Sequence, residues 1–545
     1  MHRALLVDEI VHTILQDVKL SATDMINFAS TCSTLSSPAL NIMWRVQHNL
    51  GPLIMCLPQD TWEIREDNII HLSREPFPAE WERVRLNASR ICRLVASGRV
   101  TRSDRRPKVH SRVLQQLFTL FPPASLFPNL SDLDFSAVSD SWELIPNLHF
   151  SPLRQFLSSK LRFLAFLVPS AAPAHELEQF INILPAEASG LRQLVIYAEN
   201  DGAPHRQIDL PLINMRKLNA LGIIRYACLM KRSIADIKYL RFLHVLALNL
   251  GGGSDSVEDS RPGDVPLELT LLRYITLDAD RLQHCTSFLL PISIPQLSSL
   301  SIKYNKHAFP TEANDFFLCL HASCPVPASL KTLSIHCYGA VSHRDIDLHN
   351  HLPSHHFRAL LKFRRLTTVK FLAMGQYCLD DGFMEDAAVA WPDIQELRFA
   401  PKQADTSSVT FGAVLSLASR CRSLRILHLT FDATQMPTLP HRRGSEDASE
   451  GIRELWPKQT AFQTLHVGNS NVRSASFVSF VLAVVFPNLL DISWFQIPGI
   501  SDDNPWLHVA TMVRQLSSLQ ETNTSISAIL ANFVRDLLAA DLPEE

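Results

Sequence analysis

An excess of charge of either sign is missing from this chain. Its 51 Lys and Arg stand against 54 Asp and Glu, a formal net charge of -3, which gives no electrostatic case for a nucleic-acid partner. Long apolar runs are missing too. The longest, residues 477–486, spans about ten positions before Pro487, whereas a membrane-crossing helix needs ~20. No membrane partner is expected. The ten cysteines, at 32, 56, 92, 228, 285, 319, 324, 337, 378 and 421, form no C-x-x-C pair and no dense framework. Scattered in this way, they read as small core residues of a reducing compartment. The opening Met-His-Arg-Ala-Leu-Leu-Val-Asp-Glu meets two acids too early for a signal peptide, so a cytoplasmic or nuclear location is expected. G-x-S-x-G, Walker and H-E-x-x-H motifs are all absent. Neither an enzyme nor a cofactor is expected.

What the chain has in quantity is one short pattern, repeated. Leu424-x-x-Leu427-x-Leu429 is its type. The same skeleton appears at Leu130/Leu133/Phe135, Leu161/Leu164/Phe166, Leu191/Leu194/Ile196, Leu218/Leu221/Ile223, Leu243/Leu246/Leu248 and Leu272/Ile275/Leu277. It continues at Leu297/Leu300/Ile302, Leu330/Leu333/Ile335, Leu366/Val369/Phe371, Ile394/Leu397/Phe399, Phe462/Leu465/Val467 and Leu489/Ile492/Trp494. Consecutive starts lie about 25 to 38 residues apart, overlapping the leucine-rich-repeat period of roughly 20–29. In a strand the fourth and sixth positions point the same way. Each unit alone exposes that apolar edge, and stacking buries it. Helical segments between strands are expected near 175–184, 312–322, 411–419, 477–486 and 506–516. Strand, loop, helix and next parallel strand make an α/β leucine-rich-repeat solenoid, a horseshoe with its parallel sheet concave and its helices convex, over residues 126–523. The usual ninth-position Asn is met by Asn305 alone, with Asp280 and Asp432 as partial substitutes. Residues 251–266 and 434–451 read as polar surface loops, and 524–545 as a capping helix and tail.

Residues 1–46 read differently, as an all-α run of short helices. Leu5, Leu6, Ile10, Ile14 and Leu15 follow helical spacing. Ser21 and Asp24 are candidate caps of a second helix carrying Met25, Ile26, Phe28 and Ala29, and Pro38 marks the start of a third, through Leu40 to Trp44. The pattern Leu5-Leu6-x-x-Glu9-Ile10-x-x-x-Ile14-Leu15, Asp24, Ala29-x-x-Cys32, Ala39-Leu40-x-x-x-Trp44 resembles the F-box. The departure is that Leu6-Val7 stands where the family has Pro after the first Leu. The resemblance implies docking on the SKP-type adaptor of a cullin–RING ubiquitin ligase, through Leu5, Leu6, Ile10, Ile14, Leu15, Ile26, Leu40 and Trp44. A bland reading stands beside it: these helices only cap the first repeat.

Residues 47–125 read as a helical connecting region, with Trp81, Val84, Ala88, Ile91 and Leu94 on one face of a helix over 80–94. Together with Trp44 and Leu126-Phe127-Pro-Asn-Leu130, this region resembles the F-box proteins abundant in mushroom-forming fungi. Residues 99–112 carry six basic side chains against Asp104; a solvated loop is preferred there to a nuclear-import signal or phosphate patch. His336, His343, His349, His351, His355 and His356 invite a metal hypothesis, but no acid or cysteine recurs among them at ligand spacing, and no metal is expected.

The readable surface lies at the third, fifth and seventh positions, which face away from the repeat core. Early units place apolar or small groups there, among them Phe163, Ala165, Leu167, Val195, Tyr197, Gly222, Ile224, Val245 and Ala247. Later units place Lys303, His336, Lys370, Arg398, His428 and His466, with Asp278, Glu396 and Asp491 between them. These six are the candidate substrate-binding residues, suited to an acidic or phosphorylated segment of an unknown protein. Lys370 and Arg398 are expected on adjacent strands, repelling one another unless an anion or Glu396 intervenes. Two function classes follow: a substrate receptor of an SCF-type ubiquitin ligase, as the resemblance implies, or a leucine-rich-repeat scaffold outside any ligase.

Overall fold

The computed structural model describes the whole chain except residues 1–6, 18–20, 67, 96–106, 137–149, 171, 200–205, 252–266, 307, 340–350, 402–406, 436–457, 496–503 and 522–545. Two compact units divide it, residues 1–251 and 252–545. The boundary falls at the polar stretch expected as a surface loop. Expected features at 99–106, 252–266 and 524–545, most of 434–451, and His343 and His349 lie outside the described residues.

The first unit opens with three helices, α1 (Asp8–Asp17), α2 (Ala22–Thr31) and α3 (Ser33–Arg45). Ser21 caps α2 as its sequence suggests. Its Oγ accepts from the Asp24 N–H at 3.2 Å, and Asp24 Oδ2 accepts from the Ser21 N–H at 3.0 Å, a reciprocal box that satisfies two end donors. The hydroxyl and amide of Ser21 also hold the Asp24 carboxyl below the usual carboxylate range. Pro38 does not start the third helix. It lies inside α3, which begins at Ser33, because Leu35 and Ala39, one turn apart, both enter the core formed with Val11, Leu15 and Met25.

From α3 the chain passes straight into the first strand of a parallel ladder. Its strands are β1 (Val46–Gln47), β2 (Arg93–Val95), β3 (Asp132–Phe135), β4 (Phe163–Val168), β5 (Gln193–Ala198), β6 (Ala220–Arg225) and β7 (Val245–Asn249), each beside the next. The fourth-position leucines stand in one line: Leu94, Leu133, Leu164, Leu194, Leu221 and Leu246 are register partners in turn. All are buried, and each contributes roughly 1.5–3 kcal/mol of apolar burial. The connecting region is therefore not wholly helical. Gly51–Ile54, Glu82–Ala88 and Ser111–Leu120 are α-helix, but the helix expected over 80–94 ends at Ala88, and Ile91 and Leu94 belong to a further repeat. Three-residue spacing fits both a helix face and the first and fourth repeat positions, so the pattern alone could not separate them. A small sheet of Trp62–Ile64, Ile69–Leu72 and Lys108–Val109 completes this region.

The second unit continues the pattern within itself. Strands β8 (Tyr274–Ala279), β9 (Ser299–Tyr304), β10 (Thr332–Cys337), β11 (Thr368–Leu372), β12 (Glu396–Ala400), β13 (Ile426–His428), β14 (Thr464–His466) and β15 (Asp491–Ser493) pair in parallel, in order. Again the fourth positions align: Ile275, Leu300, Leu333, Val369, Leu397, Leu427, Leu465 and Ile492. Helices fill the connections, including Pro310–Ser323, Asp381–Ala390, Phe411–Arg420 and Ala475–Val485, and a further helix, Pro505–Glu521, follows the last strand. Asp380, Thr410 and Ser474 cap three of them by accepting from the N–H groups of Phe383, Ala413 and Phe477. Phe317, Phe357, Phe371 and Phe399 fill the space between strands and helices, with successive ring centroids 5.3, 5.3 and 5.2 Å apart. Asn305 is exposed, and Asp432 Oδ1 accepts from the Thr434 N–H at 2.8 Å, closing its own turn. The fold is mixed α/β, built of strand–helix repeats on parallel sheets.

Candidate functional site

Two surfaces carry the residues singled out in the sequence. On the three-helix bundle, Val7, just ahead of α1, and Ile10 and Ile14 lie three and four residues apart and so share one side; they are 41%, 40% and 46% exposed. Ile26 of α2 is exposed as well. Leu15, expected to face a partner, is 5% exposed and belongs to the bundle's own core with Val11. The reason is angular: Val11 and Leu15 form the adjacent stripe of α1, and that stripe meets the core. Leu40 and Trp44 are half-buried on α3, and Leu5 and Leu6 lie outside the described residues. Val7 was missed, although it stands one turn before Ile10.

The second surface belongs to the second unit. Its six candidate residues fall into two rows. Lys303 and His336 are register partners, and the next residue in their row is Leu372. Lys370, Arg398, His428 and His466 form the other row, each opposite the next on β11 to β14. The rows are offset by one residue pair along the strands.

Four basic residues in line do not give four positive charges. Glu396 comes between the first two, with Oε2 2.7 Å from Lys370 Nζ and Oε1 2.5 Å from Arg398 Nε. The expected repulsion is thus met by a carboxylate of the chain itself, two residues from Arg398 on the same side of the strand. His428 and His466 stack with ring centroids 3.6 Å apart, and Phe495 packs on both at 5.7 and 5.0 Å. Burial, then the neighbouring His466 and Arg398, push the His428 imidazole down to about 3. His466 is lowered as well, by burial and then Arg398, against a raising pull from Asp491. Both rings are neutral at pH 7. The cationic reading of these two residues is corrected accordingly: Lys370 and Arg398 against Glu396 leave the row at +1 (2 − 1).

The imidazoles are held for hydrogen bonding. His466 Nδ1 accepts from the Gly468 N–H at 3.2 Å, which fixes the proton of the neutral ring on Nε2. His428 Nε2 is buried and has no hydrogen-bond partner among the described residues. Phe495 occupies the seventh position of the last unit, so counting from Leu489 would have found it. In the other row Lys303 Nζ lies 5.8 Å from the Tyr338 ring, and His336 and Tyr338 rings are 3.7 Å apart.

In the first unit, Ala165, Val195, Gly222 and Ala247 are in register, and Leu167, Tyr197 and Ile224 follow beside them. Ala165 and Leu167 are buried rather than open. The Arg225 guanidinium lies 5.2 Å from the Tyr197 ring centre. Burial and then Asp134 raise the Tyr197 hydroxyl, so it remains protonated.

Among the described residues, no helix is long and apolar enough to cross a membrane, and no group of three or more His, Cys, Asp or Glu is arranged to hold a metal. No known family model matches this chain, and no curated protein matches it.

Proposed function

We propose that this chain is the substrate-recognition subunit of an SCF-type cullin–RING ubiquitin ligase, a cytoplasmic or nuclear assembly. Its F-box-like helices would dock on a SKP-type adaptor, and its repeats, curved as a horseshoe, would bind the substrate on their concave strands. The observation that carries this reading is the solvent-exposed ridge of Val7, Ile10 and Ile14 beside a bundle core that does not need them. Full burial of such a side chain is worth roughly 1.5–3 kcal/mol, and a partner could recover the share that their remaining exposure leaves in water. The substrate wall is a row of one net positive charge ending in a stacked imidazole–phenyl platform, suited to a segment carrying one acidic group beside a planar one.

A second reading has its own observation. The Arg90 guanidinium donates to the Ser37 carbonyl at 3.1 Å and to Asn41 Oδ1, and β1 pairs with β2 directly after α3. These contacts tie the bundle to the first repeats, as a cap requires. In that case the protein is a repeat scaffold acting outside a ligase. Co-expression with a SKP-type adaptor and gel filtration decides between them. The ligase reading expects a co-eluting complex that Ile10→Asp abolishes while the chain still elutes as a folded species. Wild type eluting without the adaptor, or an Ile10→Asp complex as abundant as wild type, rejects it.

A further inference from the structure

Strands His351–Pro353 and Gln376–Cys378 lie parallel, with Pro353 opposite Cys378 and His351 opposite Gln376. This pairing brings Cys378 Sγ to 3.4 Å from His351 Nδ1. Both residues are half-buried rather than sealed in the core. The backbone that holds Cys378 is fixed on both sides. Ser354 Oγ donates to the Cys378 carbonyl at 3.4 Å and accepts from the Asp380 N–H at 3.0 Å. The acids that follow are already engaged: Asp380 Oδ1 takes the Phe383 N–H at 2.8 Å, and the Asp381 carboxylate takes the Thr410 N–H and hydroxyl at 2.7 and 2.8 Å. His355 and His356 pack on each other, 4.3 Å between centroids.

Other thiols meet groups that keep the proton on sulfur. Cys92 donates to the Arg90 carbonyl and Cys421 to the Trp391 carbonyl. A carbonyl cannot accept a proton outright, whereas an imidazole can. Cys285 and Cys324 are buried away from reagents altogether.

We propose that Cys378 and His351 form a thiol–imidazole pair, and that Cys378 is a site of reversible S-thiolation by a small disulfide of the oxidised glutathione type. His351 Nδ1 takes the thiol proton, and the thiolate attacks one sulfur of R–S–S–R. The Cys378–S–S–R bond forms as the R–S–S–R bond breaks, and RS⁻ leaves and recovers the proton from the imidazolium. Cys378 is oxidised and the departing half is reduced, so no other oxidant is needed. Attack by excess RSH reverses the step.

The test uses the full chain and oxidised glutathione, with peptide mass mapping, beside a pH series of iodoacetamide labelling. Cys378 should carry the adduct first and lose it in dithiothreitol. At pH 6.5 it should alkylate on the order of tenfold faster than Cys32 and Cys92, because an imidazole beside a thiol shifts it toward the reactive thiolate. His351→Gln should remove that advantage and leave the rates at high pH alike. If Cys378 follows Cys32 and Cys92 at every pH in the wild type, or if the adduct forms elsewhere first, the pair is inert and the proposal fails. The wild-type comparison stands even if the variant does not fold.

Discussion

Glu396 holds Lys370 and Arg398 together across neighbouring strands, one carboxylate oxygen to each. Parallel strands place register partners about 5 Å apart, a distance at which two uncompensated cations repel. Glu396→Gln removes the charge that answers both while keeping its size. Stability should fall on the order of 1 kcal/mol, since the pairs are partly solvated, and the loss should shrink in molar salt. Urea melts at low and high salt measure both. A salt-independent loss would mean that Glu396 matters by packing alone.

The same geometry changes how the wall should be probed for a substrate. Reversing both cations to Glu would place three carboxylates in one contact and disturb the fold. Lys370→Gln with Arg398→Gln leaves one carboxylate and tests recognition cleanly. A partner captured through an acidic group should lose binding in that variant. An unchanged set of partners, with circular dichroism intact, would show this row to be an ordinary solvated face.

His428 makes stability depend on pH in a defined direction. Its folded value is about 3, against about 6.5 in an unfolded chain, so the unfolded state binds the proton first. Stability from this group is complete above about pH 6.5 and is lost as pH falls toward 3, by about 1.4 kcal/mol per unit. His466, also lowered, acts the same way. Other groups titrate in this window, so the measured quantity is a difference. His428→Phe keeps the stacking on His466 and Phe495 and removes the buried unpaired nitrogen. It should equal or exceed wild type at pH 7 and gain on it by about 2 kcal/mol at pH 5. A constant gap between the two would sink the assignment.

How far the sequence was readable follows a physical line. The Leu-x-x-Leu-x-Leu units state a local rule of alternating faces, and all of them, from Leu130 to Leu489, became strands in the expected parallel pairing. The unit at Ile91 and Leu94 was hidden because three-residue spacing also suits a helix. Charge on the wall was less accessible. Glu396 could be named from its spacing as one of two possible counter-charges for Lys370 and Arg398, but that it bridges both, and that His428 is too buried to ionise, depend on rotamers and burial. The Cys378 and His351 contact likewise needs two short strands, with the two residues 27 positions apart in sequence, brought into register.

Gly468 serves the histidine platform through its backbone. It adopts φ +59°, and a Cβ there would strike Thr430 Oγ1. Gly468→Ala therefore meets both the left-handed penalty and a clash, together on the order of 1–3 kcal/mol. Adding Thr430→Ala should recover part of the loss by opening space. If the double variant is no better than the single, the φ penalty alone accounts for it.

Leu333 tests whether the repeats of the second unit stand by nearest-neighbour support. It lies between Leu300 and Val369 in the fourth-position line and is fully buried. Leu333→Asp buries a carboxylate with no cation beside it in that line, a cost of several kcal/mol. In a globular core the damage would spread evenly. In a stacked array it should spread to the neighbours first, because each unit is held by the interfaces on its two sides. Amide hydrogen exchange should then show protection lost at β9, β10 and β11, with β14 and β15 keeping theirs. Loss of protection at all strands of the unit together would show one cooperative core, and the repeats would be a pattern of sequence without independence in folding.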